Sequence, residues 1–264
     1  MTGDTPPDPG PDFAALAKRA GLTFPALSTP IDTNLSVAHG TTCVAIRYAD
    51  GAIMAGDRRA TSGNLISHRT IEKVFPADRH SGVAIAGAAG PAVEMVRLFQ
   101  LQLEHYEKVE GSQLSLEGKA NQLSQMVRNH LPAAMQGLVV VPIFAGFDKA
   151  RGEGRLFQYD VTGGRYEEHN YASTGSGSLH ASTVIKLGWR PALNRDSAVD
   201  LVLRSLIEAA DEDSATGGPD VVRSVYPVVA TISVDGYERL TDDELSDRVS
   251  QIYAALAHER GLEQ

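Results

Sequence analysis

Strand and helix patterns from residue 41 onward come in blocks, and this order limits the folds open to the chain. Strand patterns lie at 41–49, 52–57, 72–76, 82–87, 138–147, 154–160, 165–172 and 225–234. Helical patterns lie at 92–110, 115–131, 178–187 and 195–212, with a last one opened by Thr241-Asp242. Because the two types do not alternate strictly, the order predicts an α+β fold, with two antiparallel sheets packed face to face and helices outside.

Residues 1–40 differ in composition from the rest of the chain. Six of the thirteen prolines fall there, together with four aspartates and one short amphipathic stretch, FAALAKRAGL. This composition is typical of an extended or weakly ordered leader, and a disordered tail is its simplest interpretation. A second interpretation is that the leader is cut off. A cut between Gly40 and Thr41 would start the first strand with a free α-amine beside a hydroxyl.

Charge and hydropathy argue against several classes of function. The formal net charge is −9, so the chain lacks the basic surface that binding to nucleic acid or an anionic membrane requires. We find neither a secretory signal nor an apolar run of the roughly 20 residues that span a bilayer, which predicts a cytoplasmic protein. The lone Cys43 lies inside a strand pattern and is expected to be a small core residue.

The histidines and the glycine clusters lack the spacing of metal or nucleotide motifs. No two of the eight histidines are four residues apart, so we expect neither a metal site nor a cofactor. Segments 173–181 (STGSGSLHA) and 87–94 (GAAGPAVE) each join a strand to a helix. His180 stands where a dinucleotide-binding motif needs its third glycine, and the chain has no G-x-S-x-G of a serine hydrolase. Both segments are interpreted as tight turns.

Three residues at the ends of neighbouring strands form the combination that indicates chemistry. Thr41 opens the first strand, Asp57 lies 16 positions later, and Lys73 a further 16 positions on. Each has an ordinary structural explanation when taken alone, since threonine favours strands and charged residues favour loops and edges. Together they bring a hydroxyl, a carboxylate and an ammonium group to one place.

With these residues the chain resembles proteasome β subunits of the actinobacterial type, which are N-terminal nucleophile hydrolases. The resemblance runs from HGTTCVAIRYADGAIMAGDRRAT at 39–61, through EKVF and GAAGPA, to STGSGS and DEDSATGGPD. It implies a four-layer α-β-β-α sandwich. It also implies a propeptide at 1–40, removed autocatalytically at the Gly40–Thr41 bond, and a threonine protease domain at 41–264.

The resemblance makes Thr41 the nucleophile of an endopeptidase. A hydroxyl needs a base to take its proton, and a free α-amine, with a pKa of about 8, can do so near neutrality. Lys73 would lower the pKa values of the amine and the hydroxyl or relay the proton itself, and Asp57 would hold Lys73. Whether Lys73 or the α-amine is the base stays open.

The family's remaining site residues fall on matching positions of this chain. The backbone N–H of Gly87 is the expected oxyanion donor. Ser176, Asp213 and Thr216 are expected to support the amine, and many relatives carry serine where Thr216 stands.

Backbone groups of Thr61 and Ala89 would pair with the substrate as an added strand. The pocket for the residue before the cut maps onto Ala60, Ile71, Phe75, Ile85, Ala89 and Val93. All six are apolar, which predicts cleavage after hydrophobic residues.

The resemblance also implies partners. The expected assembly is a homo-heptameric β ring stacked on a second β ring and on rings of proteasome α subunits. An ATP-dependent unfoldase would act through the α rings on substrates tagged by a ubiquitin-like protein.

Three alternatives to a catalytic proteasome β subunit are a two-ring threonine protease of the heat-shock type, a catalytically silent scaffold subunit, and an amidase for small molecules. The first has shorter subunits without a forty-residue leader, and a silent subunit has no need of Thr41, Asp57 and Lys73.

Overall fold

A computed structural model describes residues 40–261, and the structural statements below concern this part of the chain. The predicted leader therefore lies outside the described residues except for Gly40. The strands are β1 (Thr42–Tyr48), β2 (Gly51–Gly56), β3 (Ala60–Ser62), β4 (Leu65–His68), β5 (Val74–Asp78), β6 (Ser81–Gly87), β7 (Val140–Asp148), β8 (Glu153–Tyr159), β9 (Arg165–Glu168), β10 (Tyr171–Gly175), β11 (Val228–Ser233) and β12 (Gly236–Arg239). The helices are α1 (Ala89–Glu110), α2 (Leu116–Asn129), α3 (Leu131–Ala134), α4 (Ser178–Gly188), α5 (Arg195–Glu212) and α6 (Asp242–Glu259).

Two antiparallel five-stranded sheets form the centre of the fold. The first has the strand order β10-β1-β2-β11-β12, and the second has the order β5-β6-β7-β8-β9. A separate hairpin pairs β3 with β4. The predicted α+β class with two packed antiparallel sheets is confirmed.

Three apolar clusters define four layers. One cluster lies between the two sheets and includes Cys43, Met54 and Ile143. A second packs α4, α5 and α6 on the outer face of the first sheet, and a third packs α1 and α2 on the outer face of the second. Strands buried on both faces read as nearly continuous apolar runs, which is why β2 has no polar side chain and β1 has a run of four apolar residues at 43–46. The α-β-β-α order of the layers is as expected.

Several element boundaries differ from the sequence predictions. The strand predicted at 165–172 is two strands: β9 pairs with β8 in the second sheet, whereas β10 pairs with β1 in the first. Strands β3, β4 and β12 were not predicted, because they are short, have almost no fully buried residues and carry little hydrophobic pattern. The helix predicted at 115–131 ends at Asn129, and Pro132 lies in the first turn of the separate helix α3, where its missing N–H costs nothing.

The predictions for Cys43 and Thr241 are confirmed. Cys43 is fully buried, and burial raises the pKa of its thiol to about 12. Thr241 caps α6, its hydroxyl accepting a hydrogen bond of 3.3 Å from the backbone N–H of Glu244.

Between residues 40 and 261, no helix is long and apolar enough to cross a bilayer. The same range contains no group of three or more His, Cys, Asp or Glu side chains that could hold a metal ion.

Candidate active site

The hydroxyl of Thr41 lies against the peptide bond that precedes it. Thr41 is 4% exposed, immediately before β1, the second strand of the first sheet. Its Oγ1 donates a hydrogen bond of 2.7 Å to the carbonyl oxygen of Gly40. Lys73 Nζ donates to the same oxygen at 3.3 Å. A hydroxyl and an ammonium group therefore converge on the carbonyl of the Gly40–Thr41 bond.

Asp57 and Lys73 form a buried ion pair beside this carbonyl. Asp57 follows β2 and Lys73 precedes β5, and the distance from Lys73 Nζ to Asp57 Oδ1 is 2.7 Å. Their side chains are 0% and 6% exposed. The ammonium group also donates to the carbonyl oxygen of Arg59 at 2.6 Å. With Gly40, its three protons have three acceptors, so its orientation is fixed.

Backbone N–H groups hold the Asp57 carboxylate from three directions. Thr42 N donates to Oδ1 at 2.8 Å, and Arg59 N and Gly217 N each donate to Oδ2 at 2.9 Å. A buried carboxylate needs such hydrogen bonds, because its removal from water is costly. Asp57 thus joins the start of β1, the loop after β2 and the loop around residue 217.

Ser176, Asp213 and Thr216 form a second polar group on the other side of Thr41. Ser176 Oγ and Thr216 Oγ1 donate to Asp213 Oδ2 at 2.5 and 2.6 Å. The backbone N–H of Thr41 points to Ser176 Oγ, with 3.4 Å between the atoms. Burial raises the pKa of Asp213, but the hydrogen bonds from Ser176 and Thr216 outweigh it, so the net shift is downward and the group is a carboxylate at neutral pH.

Gly87 lies at the end of β6 in a conformation that favours glycine. Its φ is +118°, and a Cβ built there would lie 2.0 Å from the carbonyl oxygen of Val139. No larger residue fits at this position without displacing the backbone. Gly87 lines the same cavity as Thr41, so the predicted oxyanion donor lies at the candidate site.

A cavity beside Thr41 gathers the six predicted pocket residues. Its lining consists of Gly40, Thr41, Ala60, Ile71, Glu72, Lys73, Phe75, Ile85, Gly87, Ala89, Ala92 and Val93. Glu72 and Ala92 were not predicted, and Glu72 pairs with Arg239 at 2.6 Å. Thr61 does not line the cavity; it lies next to Ala60 on β3, facing Ile66 of β4 across the hairpin.

Thr42 is a polar residue of the site that sequence reasoning missed. It is fully buried, its N–H binds Asp57, and its Oγ1 lies 2.6 Å from Thr216 Oγ1. The available signal was a second threonine beside Thr41, at the start of a strand that is otherwise apolar towards the core.

Comparison with known proteins identifies the family of this fold and site. A family profile described as "Proteasome subunit" matches residues 37–225. The chain belongs to the proteasome subunit family. The resemblance seen in the sequence is thereby confirmed.

Relatives of this proteasome-family chain come from several actinobacteria. A protein of Acidimicrobium ferrooxidans named "Proteasome subunit beta" is 59% identical over 254 residues, which cover 96% of this chain and 93% of the relative. A protein of the same name from Streptomyces griseus is 56% identical, with 89% and 82% covered. A third, from Jonesia denitrificans, is 52% identical, with 94% and 81% covered. The similarity therefore spans nearly the whole chain.

Proposed function

We propose that this protein is a threonine endopeptidase, the catalytic β subunit of a 20S proteasome core, which frees its own nucleophile by removing residues 1–40. The observation that carries the proposal is the convergence of Thr41 Oγ1 and Lys73 Nζ on the Gly40 carbonyl oxygen, at 2.7 and 3.3 Å. Membership of the proteasome family and relatives named as β subunits support it.

Removal of the leader uses the groups already around the Gly40–Thr41 bond. Thr41 Oγ1 attacks the carbonyl carbon of Gly40, and the bond from that carbon to the Thr41 nitrogen breaks. The hydroxyl proton passes to the nitrogen, which leaves as the α-amine, while Gly40 becomes esterified to Oγ1. Water then hydrolyses the ester and releases the leader as a carboxylate. Lys73 stabilises the negative charge that develops on the Gly40 oxygen.

Peptide hydrolysis repeats this sequence on a bound substrate. Thr41 Oγ1 attacks the substrate carbonyl, and its proton reaches the leaving amine through the α-amine or Lys73. Being on the nucleophile itself, the α-amine is positioned at little entropic cost. The Gly87 N–H stabilises the oxyanion, and water hydrolyses the resulting ester.

The cavity beside Thr41 supports a preference for hydrophobic residues before the cut. Apart from Glu72, Lys73 and the nucleophile itself, its lining residues are glycine or apolar. A charged substrate side chain would lose its hydration there without gaining a free partner, since Lys73 is already paired with Asp57 and Glu72 with Arg239. Backbone groups of Thr61 and Ala89 would pair with the substrate as an added strand and so align it.

The names of the relatives support membership of a proteasome core, and the resemblance to proteasome β subunits implies the form of the assembly. Two β heptamers lie between rings of α subunits in the cytoplasm, and an ATP-dependent ring supplies unfolded polypeptides marked by a ubiquitin-like protein. An internal chamber of this kind restricts cleavage to chains that have been unfolded and fed in.

Replacement of the nucleophile tests the proposal. The chain is produced with its α-subunit partner as wild type, Thr41→Ala and Thr41→Ser. Intact mass should show that residues 1–40 remain in Thr41→Ala, and fluorogenic peptides with a hydrophobic residue before the cut should not be hydrolysed. Thr41→Ser keeps a hydroxyl and should retain processing and measurable hydrolysis. Loss of the leader in Thr41→Ala would show that another protease removes it, and peptide hydrolysis by that variant would refute the assignment.

A further inference from the structure

The hydroxyl of Thr42 links the two loops that carry Ser176 and Asp213. Thr42 Oγ1 accepts a hydrogen bond of 3.1 Å from the N–H of Gly177, the residue after Ser176. It lies 2.6 Å from Oγ1 of Thr216, in the loop that follows Asp213. Both threonine side chains are completely buried. Asp213 Oδ2 also joins the two loops, since it accepts hydrogen bonds from both Ser176 Oγ and Thr216 Oγ1.

The direction of these hydrogen bonds is determined by the Asp213 carboxylate. A carboxylate only accepts, so Thr216 uses its single hydroxyl proton on Asp213 Oδ2, at 2.6 Å. Thr216 must then accept from Thr42, whose proton has no other use. The result is a one-way chain from Gly177 N–H through Thr42 and Thr216 to Asp213. Ser176 reaches the same Oδ2 from the other side, at 2.5 Å.

The hydroxyl groups of Thr42 and Thr216 leave no room for a side chain at residue 177. A Cβ on Gly177 would lie 2.4 Å from Thr42 Oγ1 and 2.7 Å from Thr216 Oγ1. The backbone of Gly177, with φ −85° and ψ 8°, suits any residue, so the close approach of the hydroxyls alone requires glycine there. This observation is independent of the hydrogen bonds.

We infer that Thr42 is a positioning residue, whose hydroxyl holds Ser176 and Asp213 in register with the nitrogen of Thr41. This inference rests on the proposed function, because it concerns the same nucleophile. Thr42 also binds Asp57 through its backbone N–H, at 2.8 Å. One residue therefore connects the Lys73–Asp57 pair on one side of Thr41 with the Ser176–Asp213 pair on the other.

The charged groups around the Thr41 nitrogen fix the expected change in pH dependence. Lys73 and Asp57 lie on one side of this nitrogen. Asp213 lies on the other side, beyond Ser176, and His180 of α4 and Arg59 are near it. Once the α-amine is free, the Asp213 carboxylate would favour its protonated form through Ser176, as an opposite charge does. Removal of the Thr42 link would weaken this support. With the α-amine as the base, the acid limb of kcat against pH should therefore move to lower pH.

The test compares Thr42→Val with Thr42→Ser in the full particle. Valine keeps the branched shape and removes the hydroxyl, whereas serine keeps the hydroxyl. With fluorogenic peptides, Thr42→Val should lower kcat about 10- to 100-fold, the loss expected when buried polar groups, here the Gly177 N–H and the Thr216 hydroxyl, lose their hydrogen-bond partner. KM should stay within about twofold, as for an interaction that acts on the chemical step. Thr42→Ser should recover most of kcat and the wild-type pH profile.

Each result decides one claim. Wild-type kcat and pH profile in Thr42→Val would overturn the inference, as would a Thr42→Ser variant that is equally impaired. A wild-type particle that does not hydrolyse peptides would instead refute the proposed function, on which the inference depends. If Thr42→Val fails to release its leader, the measurement is repeated on chains whose residue 41 is exposed by an added protease site. Normal turnover there would again overturn the inference.

Discussion

Replacement of Lys73 by alanine separates the chemistry of the site from its stability. Breaking a buried ion pair typically costs about 3–5 kcal/mol, mainly because the remaining charge loses its partner. Asp57 keeps three backbone N–H donors in Lys73→Ala, so we expect about 3 kcal/mol, the lower end of that range. For a domain of this size, that corresponds to about 6–12 °C in the midpoint of thermal unfolding. The particle should still assemble.

The chemical effect of Lys73→Ala should be much larger than its effect on stability. Lys73 is the only charged donor to the Gly40 oxygen among residues 40–261, so its loss should block removal of the leader. For peptides, loss of a positioned proton relay or electrostatic stabiliser costs about 10²–10⁴-fold in kcat. Intact mass and fluorogenic peptide hydrolysis at a temperature well below the unfolding midpoint measure both effects.

Lys119→Ala provides the matched control for this prediction. Lys119 is 4% exposed and forms a buried ion pair with Asp78, which keeps hydrogen bonds from Ser81 and the N–H of His80. Its replacement should lower stability by a similar amount and leave processing and hydrolysis intact. If Lys73→Ala hydrolyses peptides within tenfold of wild type, Lys73 has no part in the mechanism. Equal losses of activity in both variants would attribute the effect to instability.

Three further predictions concern other parts of the fold. Gly87→Ala should lower both the unfolding midpoint and kcat, because the new Cβ meets the Val139 carbonyl oxygen, whereas Gly90→Ala, with open space around it, should change neither. Ala89→Leu should fill the cavity and raise KM at least tenfold for peptides with phenylalanine before the cut, and less for alanine; an unchanged ratio would place the pocket elsewhere. Hydrogen bonds from the Thr162 hydroxyl and the N–H of Gly164 lower the pKa of Asp160 to about 2 from 3.8, so its contribution to stability is present above pH 4 and is lost as the pH falls towards 2. Asp160→Asn should flatten the dependence of the unfolding midpoint on pH in that range.

The packing of two sheets between helices, and the group of Thr41, Asp57 and Lys73, could be predicted from the sequence. Strands buried on both faces and long amphipathic helices leave strong hydrophobic patterns in a sequence. From these patterns we predicted the order of strands and helices, and from that order the two packed sheets. Thr41, Asp57 and Lys73 were found because their combination at equal spacings places them at neighbouring strand ends, and because they match the motifs of the family. Short exposed strands such as β3 and β4 leave no such pattern, and they were missed.

The role of Thr42 could not be read from the sequence, since it depends on three-dimensional contacts. Its hydroxyl binds Gly177 and Thr216, which lie 135 and 174 positions away. Its position beside Thr41 was the local signal, but good strand propensity explains a threonine there equally well. For the same reason the change of sheet between β9 and β10 was not predicted, because it depends on which neighbour each half of the segment pairs with.

Amino-terminal sequencing of the purified, peptide-hydrolysing particle tests the central claim most directly. The account predicts that every active β chain begins at Thr41, with a free α-amine on the residue whose hydroxyl attacks the substrate. An active particle whose chains begin at Met1, with Thr41 still joined to Gly40, would contradict it.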